Sequence, residues 1–411
     1  MPLEKEFEER LYPILPEIVQ RFGTPFHIYD EVGIVRNGEV LKTLFPGFPD
    51  FQEFFAVKAC PNVIILKIML KLGFGFDCSS IPELEMCRMV GAKGEQIMFT
   101  SNNTSPEEFT AALKSGGCIL NLDDISMISK LPSMPELICF RYNPGATREG
   151  GIFIGNPVEA KYGVRDDQIV EAYRLAGERG AKRFGLHTMI CSNELNHLYI
   201  AETVKMLLDV AARIQKELNI KFEFINIGGG IGIPYRPDQQ AFDLLSLAST
   251  SKNLLEKFQE QQGYVPKLFI ECGRYMTGPY GALVTTVINR MSKYREYVGV
   301  DACMSSLMRP ALYDAYHHIT VLNGEGRETE TVDVVGSLCE NNDKFAKQRE
   351  LPKTKDGDIL VIHDTGAHGY AMGFQYNGRL RPQELILRTD GTVELIRRAE
   401  TFGDYMRTFY Y

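Results

Sequence analysis

The sequence predicts an α/β protein, a parallel (β/α)8 TIM barrel followed by a C-terminal antiparallel β domain. Apolar runs of strand length recur between positions 53 and 271, each followed by a segment of helical pattern. Eight such alternations suit a closed barrel better than an open doubly wound sheet. After about Ala282 the texture changes to closely spaced strand-like pieces. The 411 residues also exceed one barrel of about 250 residues by the size of a second module.

The barrel strands are predicted at 53–57, 75–77, 97–100, 118–121, 137–141, 184–187, 223–227 and 268–271. Between them, Val204, Leu207, Leu208, Ala211 and Leu218 fall on one stripe of a helix over 199–218. Gly73 supplies a left-handed stop for a helix over 62–72. Beyond the barrel, strands are predicted at 298–301, 319–322, 329–335, 359–363 and 384–396. The last contains Asp390-Gly391, a hairpin turn between two apolar runs. The apolar stretch 25–29 precedes the barrel and is expected to pair with the β domain. The organisation expected is an N-terminal segment at 1–30, the barrel at 31–282 and the β domain at 283–411.

A net charge of −8 and a pI near 5.6 argue against a nucleic-acid partner, which calls for a basic face. The nine cysteines are scattered, with no Cys-x-x-Cys pair and no Cys/His metal spacing, so no metal is expected. The acidic start MPLEKEFEERLYPILPEIV lacks a signal peptide's basic region, and no apolar run reaches the ~18 residues of a membrane span. A cytoplasmic protein without a membrane partner, its thiols reduced, is the expectation.

Barrels place their chemistry at the C-terminal strand ends, where the βα loops converge. Lys58 follows strand one, Asp77 ends strand two and His187 ends strand six. Gly228-Gly229-Gly230-Ile231-Gly232 follows strand seven, and Glu271-Cys272-Gly273-Arg274 ends strand eight. Taken alone, Lys58 is a surface lysine, whereas a desolvated amine has a lowered pKa and condenses with a carbonyl cofactor. The glycine run reads either as a tight turn or as a phosphate cradle, the usual barrel position for one. Glu271 and Arg274 read as a local ion pair, or as the partners of a cofactor's ring nitrogen and phosphate. His187 is a packed core histidine or a residue stacked on a cofactor ring. Asp77 is a helix cap or the group that orients that histidine.

These residues, with Phe55-Ala56-Val57-Lys58-Ala59, Phe76-Asp77-Cys78-Ser79-Ser80, Lys161-Tyr162-Gly163, Met308-Arg309-Pro310-Ala311-Leu312-Tyr313 and Gly336-Ser337-Leu338-Cys339-Glu340, recur in a known order. The chain resembles the alanine-racemase-like, fold-type III pyridoxal-phosphate decarboxylases, and among them the diaminopimelate decarboxylases. The resemblance runs from Gly23 through Asn377.

It implies pyridoxal 5′-phosphate as cofactor, Lys58 as the Schiff-base lysine and His187 on the ring. It places Asp77, Gly229, Gly230, Gly273, Glu271 and Arg274 at the cofactor, with Arg274 shared with substrate. It implies a homodimer in which Cys339 reprotonates the carbanion and Glu340 binds a distal ammonium in the other subunit's site. Arg309 and Tyr313 then grip the substrate's distal carboxylate. The expected reaction converts meso-2,6-diaminopimelate to L-lysine and carbon dioxide, and the alternative is decarboxylation of D-ornithine or D-lysine.

Two stretches depart from the family pattern. Its His-Ile-Gly-Ser reads His187-Thr188-Met189-Ile190-Cys191-Ser192 here, so Ser192 would supply the phosphate contact from a different offset. Its Gly-Ala-Tyr reads Gly366-Ala367-His368-Gly369-Tyr370, which leaves His368, preferred by alignment, or Tyr370.

Overall fold

The computed structural model describes residues 3–45, 51–114, 116–150 and 155–410. The chain divides into two compact units.

One unit comprises Gly38–Ile233 and Ala241–Tyr275 and is built on a parallel barrel. Its strands are Gln52–Ala56, Gly75–Cys78, Ile97–Phe99, Ile119–Leu122, Leu137–Asn143, Arg183–His187, Phe222–Asn226 and Lys267–Ile270. Each pairs in parallel with the next, and the eighth pairs with the first, which closes the barrel. The predicted strands thus lie within a residue or two of the observed ones. Phe54, Met98, Phe224 and Phe269 fill the interior with Ile119, Leu137 and Cys139. The Phe224 and Phe269 rings stack at 4.3 Å. These rings need small neighbours: a Cβ on Gly75 would lie 2.6 Å from the Phe54 ring, and one on Gly185 would enter Phe224. The interior is therefore a packed plug, and chemistry is left to the strand ends.

The other unit comprises Met1–Asn37, Pro234–Gln240 and Met276–Tyr411. Strands at Glu296–Val300, Ile319–Val321, Thr329–Val335, Ile359–Ile362, Gln383–Leu387 and Val393–Arg397 match the sequence expectation. The last two form the hairpin, with Gly391 at φ +85° in its turn. Phe26–Asp30 lies between Gly281–Ser292, antiparallel to it, and Gln383–Leu387, parallel to it.

The sheet is mixed rather than purely antiparallel, because Glu296–Val300 also runs parallel to Thr329–Val335. Parallel neighbours require long crossovers, and both pairs have them. Leu283 and Val284, adjacent in one strand, enter different cores. The helices Lys5–Leu11 and Leu15–Phe22 bury Phe7, Leu11 and Leu15 in the second of these. No helix among the described residues is long and apolar enough to cross a membrane.

Candidate functional site

The first barrel strand ends at Ala56 and turns tightly through Val57–Ala59. Val57 and Ala59 are buried, whereas Lys58 projects from the turn and is exposed rather than desolvated as expected. Strand eight's continuation lies directly against this turn: a Cβ on Gly273 would sit 2.5 Å from the Ala59 Cβ. The Lys58 charge acts on the carboxylates of Asp77, Glu83 and Glu271.

Glu271 is fixed from two sides. His187 Nε2 lies 3.2 Å from its Oε2, and Asn226 Nδ2 donates to its Oε1 at 2.8 Å. Its hydrogen-bond partners thus come from strands six and seven. Burial alone would raise the Glu271 carboxyl, but the charges of His187 and Lys58 and these hydrogen bonds hold it below the usual range.

Two neighbouring carboxyls move the other way. Burial, then the Glu271 charge, push Asp77 well above the usual carboxylate range, against the pull of Lys58. Burial likewise pushes Glu53 well up, although its Oε1 accepts the Cys272 N–H at 2.9 Å. Of three buried acids, Glu271 is the one held ionised. Asp77 is neither helix cap nor histidine partner: Ser80 caps the helix Ile81–Met89, and His187 turns to Glu271.

The glycine run turns at φ +70° for Gly228 and +103° for Gly230, a region open chiefly to glycine. A Cβ on Gly230 would lie 2.5 Å from Cys191 Sγ, and one on Gly229 would strike the Glu271 carbonyl oxygen. Glu271 N–H donates to the Gly228 carbonyl at 2.8 Å, joining the run to strand eight. Among the described residues, Gly229 N–H meets only the weak acceptor Met189 Sδ, at 3.2 Å. Beside it Arg274 Nη2 lies 3.4 Å from Ser192 Oγ, so the displaced serine and the strand-eight arginine come together.

In the β unit, Arg309 opens the short helix Arg309–Tyr313 and is 2% exposed. Its Nη1 contacts His317 Nε2 at 2.8 Å, while Asp314 pairs with Lys347 at 2.8 Å. Tyr313 is exposed at the helix end. The loop carrying Cys339 and Glu340 is folded around Asp343, which accepts the N–H groups of Leu338 and Met304 at 2.8 and 2.6 Å. Cys339 is exposed, its own N–H bonded to Asn377 Oδ1 at 2.7 Å. Glu340 Oε1 accepts the Asn342 N–H at 3.1 Å. His368 has φ +57°. Tyr370 is buried, with the Arg381 and Arg397 guanidiniums 3.9 and 4.8 Å from its ring centre.

Sequence reasoning missed Asn226 and Glu53. Asn226 is fully buried and accepts the Gly228 N–H at 2.9 Å while donating to Glu271. Its signal was a polar residue closing an apolar strand, one residue short of the glycines.

Comparison with known proteins bears on this geometry. Residues 33–278 match the family described as pyridoxal-dependent decarboxylase, pyridoxal binding domain. The chain is 48% identical to Protein TabA of Pseudomonas amygdali pv. tabaci, over 98% of this chain and 96% of that one. It is 37% identical to the diaminopimelate decarboxylase of Methanothermobacter thermautotrophicus, over 95% of this chain and 92% of the relative. The crystal structure of diaminopimelate decarboxylase from Helicobacter pylori complexed with L-lysine superposes with a TM-score of 0.86 at 30% identity. That match covers 96% of this chain and 98% of the other.

Proposed function

This chain belongs to the pyridoxal-dependent decarboxylases, and on that premise we propose that it converts meso-2,6-diaminopimelate to L-lysine and carbon dioxide. The cofactor of the family is pyridoxal 5′-phosphate, and the residues at the barrel mouth fit it. The glycine turn packs so closely on Glu271 and Cys191 that a Cβ would strike them, and Ser192, next to Cys191, meets Arg274. Asp77 Oδ1 and His187 Nδ1 are buried with no hydrogen-bond partner among the described residues. One acid of three is held ionised, which suits a protonated ring nitrogen. When bound, the cofactor supplies a sink for the electron pair left as carbon dioxide departs.

In this reading Lys58 holds the cofactor covalently, and Glu271 keeps a proton on its ring nitrogen. Asp77 lies at the cofactor, and His187 packs against the ring. Gly229, Gly230, Gly273, Ser192 and Arg274 hold the phosphate with His368, since Tyr370 is engaged by Arg381 and Arg397. In a homodimer, Cys339 of one copy protonates the α-carbon in the other's site, where Glu340 receives the distal ammonium. Arg309 and Tyr313 take the distal carboxylate, which an arginine fork matches.

The observation that carries the proposal is the ionised Glu271 held against the Lys58 turn. Borohydride reduction of the holoenzyme should leave the cofactor on the peptide containing Lys58, and Lys58→Ala should lose that label together with turnover. A label elsewhere, or an active Lys58→Ala enzyme, would overturn it. Carbon dioxide release should be fastest with meso-diaminopimelate, and Arg309→Met should raise KM for it far more than for D-lysine. A second reading, decarboxylation of D-ornithine or D-lysine, draws on the burial of Arg309 against His317. Faster release from either substrate, with equal KM effects, would favour it.

A further inference from the structure

A cavity of about 240 Å³ in the β unit is lined by four cations, Arg236, Lys344, Lys347 and Arg349, and one carboxylate, Asp314. Lys344 is matched by Asp333 at 3.1 Å and Lys347 by Asp314 at 2.8 Å. Two guanidiniums are left over. The Arg236 Cζ lies 4.6 Å and the Arg349 Cζ 3.9 Å from the centre of one ring, that of Tyr316. Arg349 donates to the His317 carbonyl at 2.9 Å, a neutral acceptor, and Arg236 has no ion pair within 4 Å among the described residues, although its charge reaches the Asp314 carboxylate that Lys347 already holds. Two like charges against one aromatic ring repel each other, and burial together with Arg236 lowers the Arg349 pKa. A dianion between them would remove that repulsion and match both planar donor forks.

We propose that this cavity binds a compact dianion, a phosphoryl group or a short dicarboxylate, held between Arg236 and Arg349. Its size falls below the range of roughly 300–1,000 Å³ typical of sites for larger ligands, which disfavours a nucleotide. The site is separate from the catalytic assignment, since neither arginine has a role there. It does adjoin the chain that carries one: Pro310 and Asp314 line the cavity, within and just after the helix Arg309–Tyr313.

The test is calorimetric titration of the holoenzyme with inorganic phosphate and with succinate, at ionic strength matched with chloride. One saturable site per chain is expected for at least one of them. Arg236→Gln, at an exposed position, and Arg349→Gln should each weaken it by about tenfold or more. Arg398→Gln, which removes an exposed arginine paired with Asp404, should leave it unchanged. Binding of phosphate alone identifies a phosphoryl ligand, and binding of succinate alone a dicarboxylate. No saturable binding of either anion, or equal affinity in Arg236→Gln, overturns the proposal.

Discussion

Asn226 shows how much of the catalytic electrostatics rests on a group with no chemistry of its own. Its amide donates to Glu271 and its carbonyl accepts from Gly228, so one side chain ties the ionised acid to the glycine turn. Asn226→Ala strips both partners inside a buried site, at about 1–3 kcal/mol for each group left unsatisfied. The expected outcome is a stability loss of that order in urea melts and weaker cofactor affinity by absorbance titration. Asn226→Asp should be worse, because it adds a second carboxyl beside Glu271 in a dry site. Unchanged cofactor affinity in both variants would remove the link between acid and turn. The strand-end positions of Lys58, Glu271 and Arg274 were legible because each follows a short apolar run, and a barrel puts its chemistry there. Asn226 and Glu53 were not, since a single polar residue in an apolar strand does not reveal which neighbour will satisfy it.

At the level of elements, the strand Phe26–Asp30 is buried along its whole length yet contains a histidine. His27 Nε2 lies 2.9 Å from the Ser306 carbonyl and so carries the proton, while Nδ1 faces Thr365 Oγ1 at 3.3 Å. Burial lowers the His27 pKa to about 4 from an ordinary 6.5. Between those values the unfolded chain takes up a proton that the folded strand refuses, so stability falls as pH drops through that window. The loss is about 3 kcal/mol for this group. His27→Gln, which keeps a donor for Ser306, should therefore lose about that much less stability than the parent between pH 7 and 4. Comparing the two proteins by denaturant melts cancels the other titrating groups, and parallel curves would refute the assignment.

The same sheet shows where element reading ran out. Lys344–Pro352 reads KFAKQRELP, with charges breaking the apolar alternation, and its pairing with Thr329–Val335 supplies what its own pattern lacks. Gly281–Ser292 begins apolar and ends polar, so half its length resembles a linker. The barrel strands were legible because each is a short apolar run bounded by turns and buried on both faces.

For the whole molecule, the decisive question is whether one chain suffices for one active site. Of the nine cysteines, seven are buried, Cys118 is half-buried and Cys339 alone is exposed. An exposed thiol on a loop braced by Asp343 suits a residue that serves a neighbouring copy, and a two-fold dimer would complete both sites reciprocally. Lys58→Ala and Cys339→Ala should each be inactive as pure proteins. After subunit exchange between equal amounts, half the dimers are mixed, and each mixed dimer has one site with both residues intact. Activity should then recover to about a quarter of the parent's, since the second site of each mixed dimer carries both lesions. Mass-tagged subunits establish that exchange has occurred. No recovery after proven exchange would place Lys58 and Cys339 in the same chain's site, whereas a pure Cys339→Ala protein that is active would take Cys339 out of the chemistry.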